Sequence, residues 1–248
     1  MSDDLIERLN AVDRSRRHAN VRPKDASTLL ILDRAIGGPV RVLMGRRHQR
    51  HAFLPGAYVF PGGKVDAADS RVRLAGDYHP AVLEKLLHDM KGPKTLARAR
   101  AFGVAALRET YEEAGIFVGC SRSGGDTATA PGLAAFAAAG VEPNLAPFRL
   151  IARAITPPGR PRRFDTRFFA VGADDIAATT ADGLGPSGEL EDVAWLTFEA
   201  AGRLQLPPIT LTVLAELSAR LESDPRLAPE VAVPYYLWRS KGFARLEL

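Results

Sequence analysis

Apolar residues recur at helical spacing in the middle of the chain, after Pro80, a residue that suits the first turn of a helix. The stripe falls at positions i, i+3, i+4 and i+7, which are Leu83, Leu86, Leu87 and Met90. Gly92-Pro93 ends this helix, and a second helix is predicted over about 95–114, with Gly115 as its C-terminal stop. The pattern therefore predicts two consecutive helices.

Short apolar runs bounded by glycine or proline predict strands on both sides of these helices. The runs span residues 29–32, 40–44, 58–60, 117–119, 148–155, 167–171 and 192–198. Further helices are predicted after Ser2 or Asp3, over 131–139 and over 208–222, and residues 64–79 are expected to form a loop. Because helices and strands alternate to the end, one α/β or α+β domain over residues 1–248 is favoured over two.

The composition is that of an ordinary soluble globular protein, with 46% hydrophobic and 25% charged residues in 248. Cys120 is the only cysteine, so neither an intrachain disulfide nor a cysteine-rich zinc site is expected. The first residues do not have the pattern of a signal peptide, and no apolar run is long enough to span a membrane. A cytoplasmic location without a membrane partner is therefore expected.

Basic residues are concentrated in two stretches, although the formal net charge is only +4. The first stretch spans residues 41–51, and the second holds Arg160, Arg162, Arg163 and Arg167. Such clusters attract polyphosphates or nucleic acid, but they also occur as solvated surface. Aromatic residues are sparse within them, which argues against a stacking surface for nucleic acid.

Three carboxylates project from one side of the second predicted helix. At about 100° per residue, Glu109, Glu112 and Glu113 lie at about 0°, 300° and 40°. Arg108 flanks them and can reach Glu112 at i+4. The opposite side carries a core-facing stripe of Val104, Leu107, Tyr111 and Ala114. Carboxylates at this spacing can converge on a hard divalent cation, and a solvated acidic helix face is the alternative.

The same residues belong to a longer pattern. From Gly63, five residues lead to Asp69, and Arg-Glu-x-x-Glu-Glu-x-Gly begins at Arg108 and precedes Ile116. This resembles the Nudix box, Gly-x5-Glu-x7-Arg-Glu-U-x-Glu-Glu-x-Gly-U, where U is a bulky aliphatic residue. Asp69 replaces a glutamate, Thr110 replaces an aliphatic residue, and 38 residues instead of seven separate Asp69 from Arg108.

The resemblance implies a Nudix-type α/β/α sandwich around a mixed β-sheet, with an inserted helical segment. The family core would span about residues 25–200, the insertion about 70–107 and a C-terminal helical extension about 204–248. A long insertion in the box, and the runs 52–63 and 162–169, are similar to the peroxisomal-type coenzyme A diphosphatases of this family. Their coenzyme A signature is met at Leu43, Arg47, Gly56 and 60–63, but not at Gly45, His48 and Ala52.

The resemblance also implies roles for individual residues. Mg²⁺ or Mn²⁺ would be held by Glu109, Glu112, Glu113 and a backbone carbonyl near Gly63, with Arg108 orienting the glutamates. The attacking water would lose its proton to Glu109 or to a glutamate on a loop. The loop candidate is Glu189, for which an exposed carboxylate without a role is the alternative. The candidates for phosphate contacts are Arg47, Arg163 and Arg167, each of which could equally form a structural pair.

The implied activity is hydrolysis of the diphosphate bond in a small nucleoside diphosphate derivative, with coenzyme A or acyl-coenzyme A preferred. NADH, ADP-ribose, nucleotide sugars and dinucleoside polyphosphates are alternatives within the same class. From another class, the alternative is a Nudix-fold module that only binds a nucleotide or RNA. A homodimer stays open as well, because the stripe from Leu83 to Met90 must pack on its own domain or against a partner.

Overall fold

The computed structural model describes residues 2–11, 18–34, 37–50, 55–121, 132–240 and 242–248. The helices are α1 (Ser2–Ala11), α2 (Pro80–Leu87), α3 (Leu96–Ala114), α4 (Ala134–Ala138), α5 (Phe198–Gly202) and α6 (Pro208–Ser223). The strands are β1 (Lys24–Asp33), β2 (Arg41–Arg47), β3 (Tyr58–Val59), β4 (Gly62–Lys64), β5 (Ile116–Val118), β6 (Cys120–Ser121), β7 (Val141–Glu142), β8 (Arg149–Ile155), β9 (Phe164–Gly172), β10 (Ile176–Thr179), β11 (Leu190–Thr197), β12 (Pro234–Arg239) and β13 (Gly242–Glu247).

One mixed sheet organises the described part of the chain. Its strands follow the order β11-β2-β1-β9-β8-β12-β13, while β3 pairs with β2 and β4 pairs with β1. Strand β1 runs parallel to β9 and antiparallel to β2. The sheet separates two hydrophobic clusters: Leu29 and Ile31 face α2 and α3, whereas Leu30 and Leu32 face α1, α5 and α6. Helices therefore cover both faces of the sheet, which confirms the predicted α/β/α sandwich.

Helix α3 has the bounds that its sequence predicts. The Thr95 side chain accepts a hydrogen bond from the Arg98 N–H at 3.2 Å and so caps the first turn. Gly115 ends the helix at a φ of 67°, in the left-handed region that glycine adopts without strain. These two local signals fix both ends of the helix that carries the glutamates.

The segment between Asp69 and Arg108 contains more structure than predicted. Residues Ala67–Arg71 form a 3₁₀ turn where a loop was expected. Helix α2 follows, and its buried side chains Val82 and Leu86 pack in the same cluster as α3. The apolar face of the inserted helix is therefore covered by its own domain.

The prediction of a purely helical extension over residues 204–248 is wrong. Helix α6 is followed by the hairpin β12–β13, in which β12 pairs in parallel with β8 and widens the main sheet. Lys85 of α2 donates hydrogen bonds to the carbonyls of Pro229 and Val231, at 2.5 and 2.7 Å. The insertion is thus tied directly to the segment that leads into this hairpin. In the described part of the chain, the helices are too short or too polar to cross a membrane.

Candidate active site

Strand β4 brings its two glycines against the C-terminal half of α3. The N–H of Gly62 donates to Glu113 Oε2 at 2.9 Å. A Cβ at Gly63 would lie 2.3 Å from the carboxylate carbon of Glu109, so any other residue there would push this carboxylate aside. The glycine pair and the glutamate helix, which are far apart in sequence, therefore form one site.

Arg108 connects the remaining acidic residues to this site. Its Nε and Nη2 donate to Asp69 at 3.1 and 3.2 Å, and Nη1 donates to Glu109 at 2.8 Å and to Glu112 at 3.2 Å. Nη2 also donates to the carbonyl of Lys64 at 2.9 Å. Asp69 and Arg108 are only 3% and 6% exposed, so this is a buried ion pair. The Asp69 carboxylate thus holds Arg108 in place. Its oxygen atoms do not face the glutamate cluster.

The glutamates lie in an environment that disfavours their charged forms. Burial raises the pKa of the Glu113 carboxyl to about 8, and the charge of Glu109 adds to the shift although the Gly62 N–H donates to the carboxylate. Burial also raises the pKa of Glu109. The attraction of Arg108 lowers this pKa, whereas repulsion from Glu112 raises it further. A cation at this position would relieve the repulsion between these carboxylates.

The loop before β11 closes over the end of α3. The N–H of Ser187 donates to the carbonyl of Glu112 at 2.8 Å, and Gly185 packs against the same backbone where a Cβ would clash. These contacts place Glu189 near the cluster, where its charge contributes to the raised pKa values of Glu109 and Glu113. Sequence reasoning missed Gly185 and Ser187, although a glycine-rich loop before a candidate base is a signal for such packing.

Arg47 lies on the same side of the site. Its Nη2 is 3.7 Å from Glu189 Oε2, and its charge lowers the pKa of Glu113 against the effect of burial. The backbone pairing of β2 with β11 sets this arrangement, because Leu190 lies opposite Arg47. Among the predicted substrate contacts, Arg47 is the residue that the fold brings to the glutamates.

The other two predicted substrate contacts lie elsewhere. Arg167 is 1% exposed, and its guanidinium stacks on the Phe102 ring and pairs with Asp165 at 3.1 Å. Arg163 donates to the carbonyls of Thr156 and Val21. Both arginines hold the fold together in this conformation, and neither is directed at the glutamate cluster. Their positions do not support the phosphate contacts predicted for them.

The carboxylates of the site are the donor type that suits a hard divalent cation. Within the described residues, no three Asp, Glu, His or Cys side chains are gathered as metal ligands. Arg108 draws Glu109 and Glu112 towards itself, and Glu113 is turned to the Gly62 N–H. These side chains offer oxygen atoms, the ligand type that Mg²⁺ and Mn²⁺ prefer.

The close contact at Gly63 leads to a specific prediction. Gly63→Ala is expected to displace the Glu109 carboxylate and to lower kcat/KM by roughly 10–100-fold, because a carboxylate of the glutamate cluster is misplaced. Gly202→Ala is the matched control, since a Cβ there meets no atom within 4 Å. Steady-state hydrolysis and thermal unfolding of both variants measure the effect. Equal activity of the two variants would show that the contact is unimportant.

The fold is that of the Nudix family. The model of the NUDT19 Nudix domain matches residues 24–148, and the chain belongs to this family. The crystal structure of a Nudix hydrolase from Alicyclobacillus acidocaldarius is similar over 80% of this chain and 92% of its own, with 28% sequence identity and a TM-score of 0.60. Fold and family model therefore agree that the chain belongs to the Nudix family.

Curated relatives are similar over shorter parts of their length. The acyl-coenzyme A diphosphatase NUDT19 of Xenopus laevis is 30% identical over 96 residues, covering 31% of this chain and 25% of the relative. The putative nudix hydrolase 7 of Caenorhabditis elegans is 28% identical over 197 residues, covering 72% of this chain and 56% of the relative. The chain thus spans between a quarter and about half of the length of these relatives.

Proposed function

We propose that this Nudix enzyme cleaves the diphosphate bond of a nucleoside diphosphate linked to another moiety, with coenzyme A or an acyl-coenzyme A as its preferred substrate. The convergence of Gly62, Gly63 and the glutamates of α3 carries the hydrolytic part of the proposal. The similarity to acyl-coenzyme A diphosphatases supports the choice of substrate. NADH, ADP-ribose, nucleotide sugars and dinucleoside polyphosphates are the alternatives, because the same site would act on any of them.

A bound divalent cation, Mg²⁺ or Mn²⁺, would neutralise charge on the diphosphate and make an attacking water more acidic. Glu109, Glu112, Glu113 and the carbonyl of Gly63 are the groups that would hold it. Arg108 keeps Glu109 and Glu112 in place through its two hydrogen bonds from Nη1.

Two loop and strand residues complete the proposed chemistry. Glu189 is our candidate for the group that accepts the proton of the attacking water, and Glu109 is the alternative within the helix. Arg47 would contact a phosphate oxygen, as its guanidinium lies beside Glu189. Arg163 and Arg167 are left out of the substrate contacts because they are engaged within the fold. The cytoplasm as location, and a homodimer as a possible assembly, belong to the proposal too.

The test is hydrolysis by the purified protein with Mg²⁺ or Mn²⁺, using coenzyme A, NADH, ADP-ribose and a dinucleoside polyphosphate, with the phosphate products resolved. We expect coenzyme A to give adenosine 3′,5′-bisphosphate and a phosphopantetheine, and Glu112→Gln to lower this rate by on the order of 10²-fold or more. Glu84→Gln, on an exposed position of α2, is the matched control.

The outcomes separate the parts of the proposal. Turnover of ADP-ribose or NADH alone would replace the substrate but keep the chemistry. If no diphosphate is cleaved and Glu112→Gln behaves like the wild type, the chain would instead be a module that only binds a nucleotide or RNA.

A further inference from the structure

Strand β13 lies at one end of the main sheet, and its pairing with β12 shows which backbone groups face outward. Val233 and Leu248 exchange two hydrogen bonds, at 3.1 and 3.0 Å, so they are a hydrogen-bonded pair. Such pairs alternate along antiparallel strands with pairs whose N–H and C=O groups point away from the partner strand. From the register, Phe243, Arg245 and Glu247 therefore direct these groups away from β12.

One group of this outward row is already engaged. The Phe243 N–H donates to Asn10 Oδ1 of α1 at 3.0 Å, which agrees with the outward direction because α1 is not part of the sheet. Within the described residues, the N–H groups of Arg245 and Glu247 have no acceptor. These two residues thus form an open row of donors and acceptors at the edge.

The opposite end of the sheet is shaped differently. Strand β11 has a register shift between Glu191 and Ala194, and Asp192 lies between them at a φ of 51°, in the left-handed region. A bulge of this kind twists an edge strand and hinders the pairing of a further strand along it. The pairing of β13 with β12 has no such shift. Strand β13 is therefore the edge whose geometry is regular enough for another strand.

The side chains of β13 alternate between a charged and an apolar face. Arg245 and Glu247 share the face of α6, where Arg245 donates from Nε to Glu216 at 2.8 Å and from Nη1 to Glu247 at 3.1 Å. Leu246 lies on the other face and is only partly buried. The edge therefore carries one positive, one negative and one apolar side chain in a fixed order.

This order fits a second copy of the strand in one antiparallel register. Outward residues must face outward residues, so the two-fold axis can move only in steps of one residue pair. An axis at Arg245 or at Glu247 sets like charges opposite each other, which is destabilising. An axis at Ala244 requires the Phe243 N–H, which is already engaged. An axis at Leu246 sets Arg245 of each copy opposite Glu247 of the other and brings the two Leu246 side chains together.

We propose that β13 is a homodimer interface, in which two copies pair antiparallel about Leu246 and join their main sheets into one. The outward groups of Arg245 and Glu247 would form four hydrogen bonds between the copies. This inference rests on the homodimer that belongs to the proposed function, and it assigns a surface to that homodimer. It does not depend on hydrolysis.

Glu247→Pro tests the backbone pairing. Proline removes an N–H that β12 does not use, and edge strands tolerate proline where this group faces outward. Two of the four hydrogen bonds between the copies would be lost. In analytical ultracentrifugation from about 1 to 300 µM, we expect the wild type to dimerise with a micromolar Kd, because the interface is small. The variant should dimerise at least about tenfold more weakly, with its thermal unfolding little changed.

A pair of charge reversals tests the register. Glu247→Arg and Arg245→Glu each set like charges opposite each other at both places, so each variant alone is expected to be monomeric. An equimolar mixture is expected to form a heterodimer, because the opposite charges are restored. Glu222→Arg, at an exposed position of α6, makes the same change of charge away from the edge and should dimerise like the wild type.

Thermal unfolding shows whether Arg245→Glu, which also loses its pair with Glu216, is folded. If it is not, Glu247→Pro and Glu247→Arg decide. A wild type that stays monomeric over the whole range, or a dimer that neither variant of Glu247 weakens, would overturn the interface. Hydrolysis by the wild type tests the proposed chemistry separately, because β13 contributes no residue to the glutamate site. A dimer that hydrolyses no diphosphate would overturn the chemistry and leave the interface standing.

Discussion

Replacing Glu113 with glutamine will lower hydrolysis by on the order of 10²–10³-fold and, at the same time, stabilise the metal-free protein. The carboxyl is 5% exposed and lies beside Glu109, and burial raises its pKa to about 8. Glutamine keeps an oxygen that can accept from the Gly62 N–H, but it removes a charge that is costly to bury. A gain in stability with a loss of activity indicates a residue whose charge serves the reaction.

The raised pKa of Glu113 determines how the stability of the protein changes with pH. The folded pKa of Glu113 lies above the value of 4.5 for the free side chain, so the neutral carboxyl favours the folded state at low pH. This contribution is fully present below about 4.5 and is lost as the pH rises to about 8. In the presence of a metal chelator, the Tm of the wild type should therefore fall relative to that of Glu113→Gln as the pH rises from 4.5 to about 8.

Thermal unfolding from pH 5 to pH 9, with and without Mg²⁺, measures the effect. Glu84→Gln serves as the matched control, because its carboxylate is exposed on α2. Mg²⁺ should raise the Tm of the wild type more than that of Glu113→Gln, since ligands that bind the folded state stabilise it. A variant that is less stable than the wild type throughout, or fully active, would contradict this account of Glu113.

Local signals in the sequence were sufficient for the helix that carries the glutamates. The helix begins after Thr95 and ends at Gly115, and both signals lie within one helical turn of the end that they mark. The helical repeat alone places Glu109, Glu112 and Glu113 on one side. The same holds for the β1–β2 pair, whose connection contains a glycine at a φ of 76°, Gly37. Such features depend on neighbouring residues alone.

The C-terminal hairpin shows where local reasoning failed. The segment around Tyr235 and Tyr236 has the aromatic content of a strand, yet its register depends on β8, about 80 residues earlier in the chain. Tyr235 and Tyr236 are both buried, one packed on Arg153 and the other in the cluster with α6. Because both faces of this strand are buried, its sequence does not alternate between apolar and polar residues. The strand could therefore not be distinguished from a helical extension.

Contacts within the site were the least predictable from sequence. Asp69 contacts Arg108 because the 38 residues between them loop out and bring the chain back to the site. Likewise, Arg163 and Arg167 were candidates for phosphate contacts by residue type, but the parallel pairing of β1 with β9 places Arg167 beneath α3. The chemistry of a side chain can be read from the sequence, whereas its partner is set by strand pairing and insertion geometry.

Asp69→Ala is expected to destabilise the protein by about 3 kcal/mol, which corresponds to a fall in Tm of roughly 6–12 °C. The substitution leaves a buried guanidinium without the partner that accepts from Nε and Nη2, although Glu109, Glu112 and the Lys64 carbonyl still accept from it. Activity should fall as well, because Arg108 would lose the anchor that fixes its position relative to the glutamates.

Asp66→Ala is the matched control for Asp69. Its carboxylate belongs to the same turn and lies 3.8 Å from Arg108, but its side chain is 68% exposed, so its removal should cost less than about 1 kcal/mol. Chemical denaturation of both variants, with hydrolysis measured well below the melting temperature, separates stability from activity. Equal losses for Asp66 and Asp69 would mean that the burial of the Asp69–Arg108 pair is not what joins the two halves of the site. A loss of stability and activity in the Asp69 variant alone would identify this ion pair as the contact that holds β4 against α3 despite the long insertion between them.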